Sequence, residues 1–126
     1  MASLSENDIT SQFIGHTVSI GRLTQCARRN RPTTNGDEYI VYSCGYLYNR
    51  ELRELFGVTE QLKELWERRG TEFNLYLYIS EGKITSCQIS KYHEGEGARP
   101  TYRSLKCTQQ DLRIAQRILQ YVTEQF

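Results

Sequence analysis

The chain has 126 residues, of which 38% are hydrophobic and 25% are charged, and its formal net charge is +1. This size and composition are typical of a single folded domain and exclude a disordered, collagen-like or disulfide-dense chain. No apolar run approaches the roughly 18 residues that span a membrane, and the first residues lack the basic and apolar regions of a signal peptide. We therefore expect a cytoplasmic protein that does not associate with membranes.

The first predicted element is a short helix over residues 5–14. Ser5 is an N-cap residue followed three positions later by the acidic Asp8, which is the pattern of a capping box. Ile9 and Phe13 lie one helical turn apart, so they would form the apolar face of this helix.

A long hairpin is predicted over residues 16–48. β-branched residues are frequent in residues 15–26, which favours a first strand there. Residues 27–38 are polar and rich in turn formers, and are predicted to form a long loop. Strand composition returns in residues 39–48, which would form the second strand of the hairpin.

A helical region is predicted over residues 49–69, with Asn49 as its N-cap. Its apolar residues recur at helical spacing: Leu52, Leu55, Phe56, Leu62, Leu65 and Trp66. Gly57 interrupts the pattern and Thr59 is a second N-cap residue, so we expect either one bent helix or two helices in tandem, ending at Gly70.

The clearest local pattern predicts a second hairpin over residues 72–92. Apolar and polar residues alternate strictly from residue 73 to residue 79, and residues 80–82 resemble a three-residue loop with a glycine at its end. The resulting register places two sets of side chains on opposite faces of the hairpin. One face carries Phe73, Leu75, Leu77, Ile79, Thr85, Cys87 and Ile89, and the other carries Tyr76, Tyr78, Ile84, Ser86, Gln88 and Ser90.

A C-terminal helix is predicted over residues 108–125, because Thr108 and Asp111 have capping-box spacing before an apolar helical stripe. The predicted order is therefore αββαββα in an α+β fold, a two-layer sandwich of a four-stranded, mainly antiparallel sheet with helices on one face. This order resembles that of small viral proteins that suppress RNA silencing by laying a sheet across double-stranded RNA. The resemblance is one of topology, without a shared motif, and implies a role in sequestering or shielding RNA.

Catalytic and metal-binding motifs are not found in the sequence. His16 and His93 lie outside any GxSxG or HExxH motif, and there is no P-loop. The four cysteines form no CxxC pair with zinc-ligand spacing, so we expect buried thiols, although a bridge between Cys26 and Cys44 stays open. The sequence thus predicts a protein that is not an enzyme and has neither a cofactor nor a metal ion.

Charge is unevenly distributed along the chain. No acidic residue lies between Ile9 and Gly36 or between Gly97 and Gln110, whereas both stretches contain basic residues. Arginine and lysine bind phosphates, and exposed tyrosines on a sheet stack on bases, so these residues favour RNA as the partner. The predicted nucleic-acid-binding residues are Arg22, Arg28, Arg29, Arg31, Arg99, Arg103, Lys106, Tyr76 and Tyr78.

The sequence supports an alternative function from the same features. Tyrosines are enriched at protein interfaces, and a sheet with one uncovered face tends to bind a ligand or pair with another copy. The leading hypothesis is thus a non-enzymatic RNA-binding module that also self-associates. The alternative is a protein-interaction or small-ligand-binding domain that forms a dimer through the open sheet face.

Overall fold

The computed structural model describes residues 3–95 and 101–124. Within them, helices pack on one face of an antiparallel sheet, which agrees with the predicted α+β class. The elements in chain order are α1 (Glu6–Ser11), α2 (Ile20–Cys26), β1 (Ala27–Thr33), β2 (Gly36–Val41), α3 (Ser43–Leu47), α4 (Arg50–Phe56), α5 (Glu60–Arg69), β3 (Thr71–Ser80), β4 (Lys83–Gly95), β5 (Thr101–Ser104) and α6 (Gln109–Val122). The strands form one sheet in the order β1-β2-β3-β4-β5.

Several helix ends follow directly from local sequence. Ser5 begins α1 and Thr108 begins α6, each in a complete capping box with the acidic residue three positions later. Gly57 ends α4 in the left-handed conformation at φ 75°, where a side chain would be strained, and Thr59 caps α5. Of the two arrangements expected for this region, the chain thus adopts two helices in tandem.

The predicted first hairpin is wrong in position. Residues 20–26 form helix α2 rather than a strand, and the strand β1 lies where the long loop was expected. The second strand, predicted over residues 39–48, ends at Val41, and residues 43–47 form helix α3 instead. Leu23 and Cys26 of α2 are buried one turn apart, so packing outweighs the β propensity of this segment. β1 is an edge strand, and such a strand tolerates charged residues and the proline at position 32 because one side of its backbone faces solvent.

The second hairpin has the predicted assignment of side chains to its two faces over most of its length, although the strand pairing is shifted by two residues from that of a three-residue loop. Leu75 pairs with Ile89 and Tyr76 pairs with Gln88, so the tyrosine lies on the face opposite the leucine, as predicted. The turn, however, contains two residues rather than three, and a β-bulge shifts the pairing with β4 between Tyr78 and Ile79. The shorter turn and the bulge together change the sheet faces on which the first residues of β4 lie.

This reversal corrects the placement of two side chains. Ile84 pairs with Ile79 and is 1% exposed in the core, whereas the sequence placed it on the other face. Thr85 is exposed at the bulge, where its hydroxyl donates to the carbonyl oxygen of Tyr78 at 3.1 Å, and it does not join the core face.

The sheet also has five strands in the described residues instead of the predicted four. β5 pairs antiparallel with β4, with His93 opposite Arg103 and Glu94 opposite Tyr102. β5 carries few apolar residues and all four of its residues are exposed, so hydrophobic patterning does not reveal it.

The main core lies between the sheet and the helices. Trp66 of α5 packs on Phe73 of β3 with ring centroids 5.5 Å apart, and the Tyr46 hydroxyl donates to the carbonyl oxygen of Phe73 at 2.9 Å. The buried helical side chains and the inward-facing strand residues form one cluster. Ile40 of β2 is buried but does not belong to this cluster, because it lies on the other face of the sheet, opposite Tyr76.

Candidate nucleic-acid interface

The face of the sheet that lies away from the core cluster, here called the open face, carries tyrosines on or beside four strands. The pairing register places on it Arg28 and Arg31 of β1, Glu38 and Ile40 of β2, Glu72, Asn74, Tyr76 and Tyr78 of β3, Ser86, Gln88, Ser90, Tyr92 and Glu94 of β4, and Tyr102 and Ser104 of β5. Tyr42, which follows β2, contacts Arg28 at the same edge. Apart from Ile40, this surface is polar or aromatic.

One edge of the open face is organised around the buried carboxylate of Glu38. The Tyr78 hydroxyl donates to Glu38 Oε2 at 2.7 Å, Asn30 donates to Oε1, and the Arg31 guanidinium lies 3.3 Å from the same carboxylate. The hydrogen bond from Tyr78, then that from Asn30, holds the pKa of Glu38 below its ordinary value, against the opposing effect of burial. Tyr78 and Arg31 are therefore fixed in place by an anion of the protein itself.

Arg28 is the cation of this edge that has no acidic partner among the described residues. Its guanidinium carbon lies 5.7 Å from the centre of the Tyr42 ring, which is a cation–π arrangement. Because the side chain is exposed and makes no ion pair in this part of the chain, it is free to bind an anion from solution.

The middle of the open face holds half-buried tyrosines that stay protonated. Burial raises the pKa of Tyr76 and of Tyr92, and the nearby carboxylates of Glu38 and Glu72 raise the two values further. Glu72 is itself engaged, because it accepts a hydrogen bond from Ser43 Oγ at 2.8 Å. At neutral pH these phenols thus offer neutral rings and hydroxyl donors.

The opposite edge presents the most exposed aromatic ring of the face. Tyr102 of β5 is 67% exposed and meets Tyr92 of β4 edge to face, with ring centroids 5.5 Å apart and planes at 85°. One side of the Tyr102 ring therefore packs against Tyr92, and the rest of the Tyr102 ring faces solvent.

The predicted binding residues are not all brought together. Arg28, Arg31, Tyr76 and Tyr78 share the open face, but the three arginines of residues 28–31 lie on strand β1 and not in the expected loop. Arg29 is directed to the other face by the strand alternation and pairs with Asp37 at 3.1 Å. Tyr76 and Tyr78 lie on the face that the sequence predicted for them.

The remaining predicted cations lie elsewhere. Arg22 belongs to α2, donates to the carbonyl oxygen of Tyr121 at 3.3 Å and lies 3.7 Å from Glu124, so it holds helices together. Arg103 shares the side of His93, opposite the open face, and Lys106 is exposed after β5. Arg99 lies outside the described residues.

The sequence interpretation missed three aromatic residues of the open face, namely Tyr42, Tyr92 and Tyr102. The alternation that assigns Gln88 to this face extends by four residues to Tyr92, so the same pattern is sufficient to find it. Tyr102 can be assigned to this face only when β5 is known, and no alternation of apolar residues predicts that strand.

The cysteines are free thiols in the structure. Cys26 and Cys44 line the same cavity, of about 220 Å³, and burial raises the pKa of Cys26 to about 12. Among the described residues, no three histidine, cysteine or acidic side chains are grouped as metal ligands would be.

Comparison of the chain with protein-family models, curated proteins and solved structures finds no match. None of the helices in residues 3–95 and 101–124 is long and apolar enough to cross a membrane.

Proposed function

We propose that the protein binds RNA as a single strand across its open face. The observation that carries the proposal is the distribution of tyrosines over this face, from Tyr42 beside Arg28 at one edge to Tyr102 at the other. RNA-binding sheets stack unpaired bases on such aromatic rings, and stacking is tolerant of sequence because every base has a π face.

The charges of the open face favour a single strand over a duplex. A duplex hides its bases and is bound through its phosphates and 2′-hydroxyls, which requires many free cations. On this face Arg31 is already paired with Glu38, so Arg28 is the cation left for a phosphate. Affinity would therefore come mainly from stacking, with a weak dependence on salt.

The test is a fluorescence-anisotropy titration with a labelled single-stranded RNA that ends in a 5′-hydroxyl group, beside the same RNA as a duplex. Replacing Tyr102 by alanine removes an exposed stacking surface and should weaken single-strand binding by about 1–3 kcal/mol. Replacing Arg28 by alanine should lower the salt slope by roughly 0.7, the value for one phosphate contact on a single strand. The duplex should bind more weakly than the single strand.

Matched controls exist on the helical side of the molecule. Tyr48 is 66% exposed, close to the value for Tyr102, and Arg50 is an exposed arginine of α4. Tyr48→Ala and Arg50→Ala should leave RNA affinity unchanged. Equal losses in the control and test variants, or no binding of the single strand at low salt, would refute the proposal.

Sedimentation of the same variants tests the alternative function. If Tyr102→Ala dissociates a dimer and leaves RNA affinity unaltered, the open face is a protein interface instead. Simultaneous replacement of all three arginines of β1 is a poorer test, because loss of Arg31 leaves the carboxylate of Glu38 without its cation.

A further inference from the structure

A second concave surface lies on the other side of β4 and β5, against the end of α5. We call it the arginine cleft: it has a volume of about 550 Å³ and is lined by Arg68, Arg69, His93, Glu94, Gly95, Arg103 and Leu105. Strand pairing places Arg103 directly opposite His93, and the backbone N–H of Glu94 donates to the carbonyl oxygen of Gly70 at 3.1 Å. These contacts bring the last turn of α5 and the two strands together around the cleft.

The cleft carries an excess of positive charge. Arg68, Arg69 and Arg103 are exposed, and none of them makes an ion pair with any residue in the described part of the chain. Glu94 is the acidic residue that lines the same surface. Three arginines and one glutamate among the lining residues leave an excess of positive charge that attracts an anion.

His93 adds an unsatisfied polar atom at the same place. Its Nδ1 is buried and has no hydrogen-bond partner among residues 3–95 and 101–124. A buried polar atom without a partner is uncommon in folded proteins and calls for a ligand, ion or water that completes it. His93 is also one of the residues that line the cleft, so its ring lies beside a ligand bound there.

An inner chamber of about 250 Å³ adjoins the cleft and shares Arg69, His93 and Leu105 with it. Its wall on α5 is apolar and includes Leu62, Leu65 and Trp66. The ammonium group of Lys91 at the other wall is already bound to Asp111 at 2.6 Å. The two spaces together are suited to a ligand with an anionic end and a larger, less polar remainder.

We infer that the arginine cleft binds a terminal phosphate monoester, with the phosphate at the three arginines and the rest of the ligand toward the inner chamber. A phosphate monoester carries about −1.5 to −2 charges at neutral pH and three acceptor oxygens, which match the planar donors of arginine. A free mononucleotide and the 5′ end of an RNA both carry this group, and the experiment below distinguishes them. The inference does not depend on RNA binding at the open face, since none of the tyrosines and arginines assigned to RNA binding lines the cleft.

Isothermal titration of the full chain with adenosine 5′-monophosphate, inorganic phosphate and adenosine tests the inference. The monophosphate should bind and adenosine should not, because the nucleoside lacks the charged group. Arg69→Ala and Arg103→Ala should each weaken binding of the monophosphate roughly tenfold or more, the loss of one charge-assisted hydrogen bond. His93→Phe keeps a ring but removes the nitrogen, and it should also weaken binding.

Arg50→Ala is the control, because Arg50 is an exposed arginine that does not line the cleft or the inner chamber, and this variant should bind the monophosphate like the parent chain. The source of the phosphate is distinguished with oligonucleotides that end in a 5′-phosphate or a 5′-hydroxyl. A preference for the 5′-phosphate that Arg103→Ala removes, without binding of the monophosphate, assigns the cleft to RNA ends. Binding of the free monophosphate assigns it to mononucleotides.

Two results would overturn the inference. The first is that neither the monophosphate nor the 5′-phosphorylated strand binds better than its phosphate-free counterpart. The second is binding that Arg69→Ala and Arg103→Ala leave unchanged. Failure of RNA binding at the open face is recognised separately, because it is measured with 5′-hydroxyl RNA and with Tyr102→Ala.

Discussion

The ion pair between Lys91 and Asp111 joins the sheet to the start of α6 and allows a quantitative prediction. The side chains are 11% and 1% exposed, and Nζ lies 2.6 Å from Oδ2. Asp111 also accepts the backbone N–H of Thr108 at 2.8 Å and so completes the capping box of the helix. Removing either partner leaves the other charge buried and uncompensated.

Lys91→Met retains most of the side-chain volume and removes the charge, and Asp111→Asn keeps an acceptor for the Thr108 N–H. Each single change should lower the free energy of unfolding by about 3–5 kcal/mol, the usual effect of breaking a buried pair. The double variant buries no charge and loses mainly the strength of the cap, about 1 kcal/mol. It should therefore be more stable than either single variant.

The measurement is equilibrium unfolding in urea at neutral pH, followed by circular dichroism, with the four chains compared at a common slope. The exposed pair of Arg50 and Glu54, whose side chains are 84% and 67% exposed, is the control. Arg50→Met and Glu54→Gln should each change the stability by no more than about 0.5 kcal/mol. A double variant of the buried pair that loses the sum of the two single losses would refute this account.

Three further predictions concern other parts of the molecule. The pKa of Glu38 is lower in the folded than in the unfolded chain, so ionised Glu38 stabilises the fold above its unfolded-state pKa, and this stabilisation is lost as the pH falls through its folded-state pKa. Tyr78→Phe should move this loss of stability to higher pH in an acid titration, and an unmoved curve would contradict the assigned hydrogen bond. Glu81 has a positive φ of 52° next to Gly82, a backbone conformation that asparagine adopts more readily than glutamate. Glu81→Asn should therefore raise the free energy of unfolding in urea by up to about 1 kcal/mol, and a free energy below that of the parent chain would contradict the turn geometry. Iodoacetamide should modify the exposed Cys44 of the native chain first, as peptide mass spectrometry would detect, and equal labelling of all four cysteines would contradict the burial assigned to the others.

The elements found correctly from the sequence are those with strong local signals. The helix starts at Ser5 and Thr108 rest on capping boxes, and the second hairpin rests on strict alternation. The errors arise where tertiary packing, rather than local sequence, determines the secondary structure or the strand register. Residues 20–26 have β propensity but bury Leu23 and Cys26 from a helix, and the bulge opposite Ile79 is not encoded by a glycine or proline.

The distribution of charge along the chain does not by itself show which basic residues stay unpaired in the folded protein. The acid-free stretch before Gly36 is followed at once by Asp37 and Glu38, and an antiparallel hairpin folds those acids back onto the arginines that precede them. Arg29 and Arg31 are neutralised in this way. Arg68 lies instead in the acid-rich helical region, yet no carboxylate of the described chain pairs with it. A tight turn thus brings neighbouring segments of opposite charge together as cross-strand ion pairs. In this protein the unpaired arginines of the cleft come instead from segments that are distant in sequence and that the fold brings to one place.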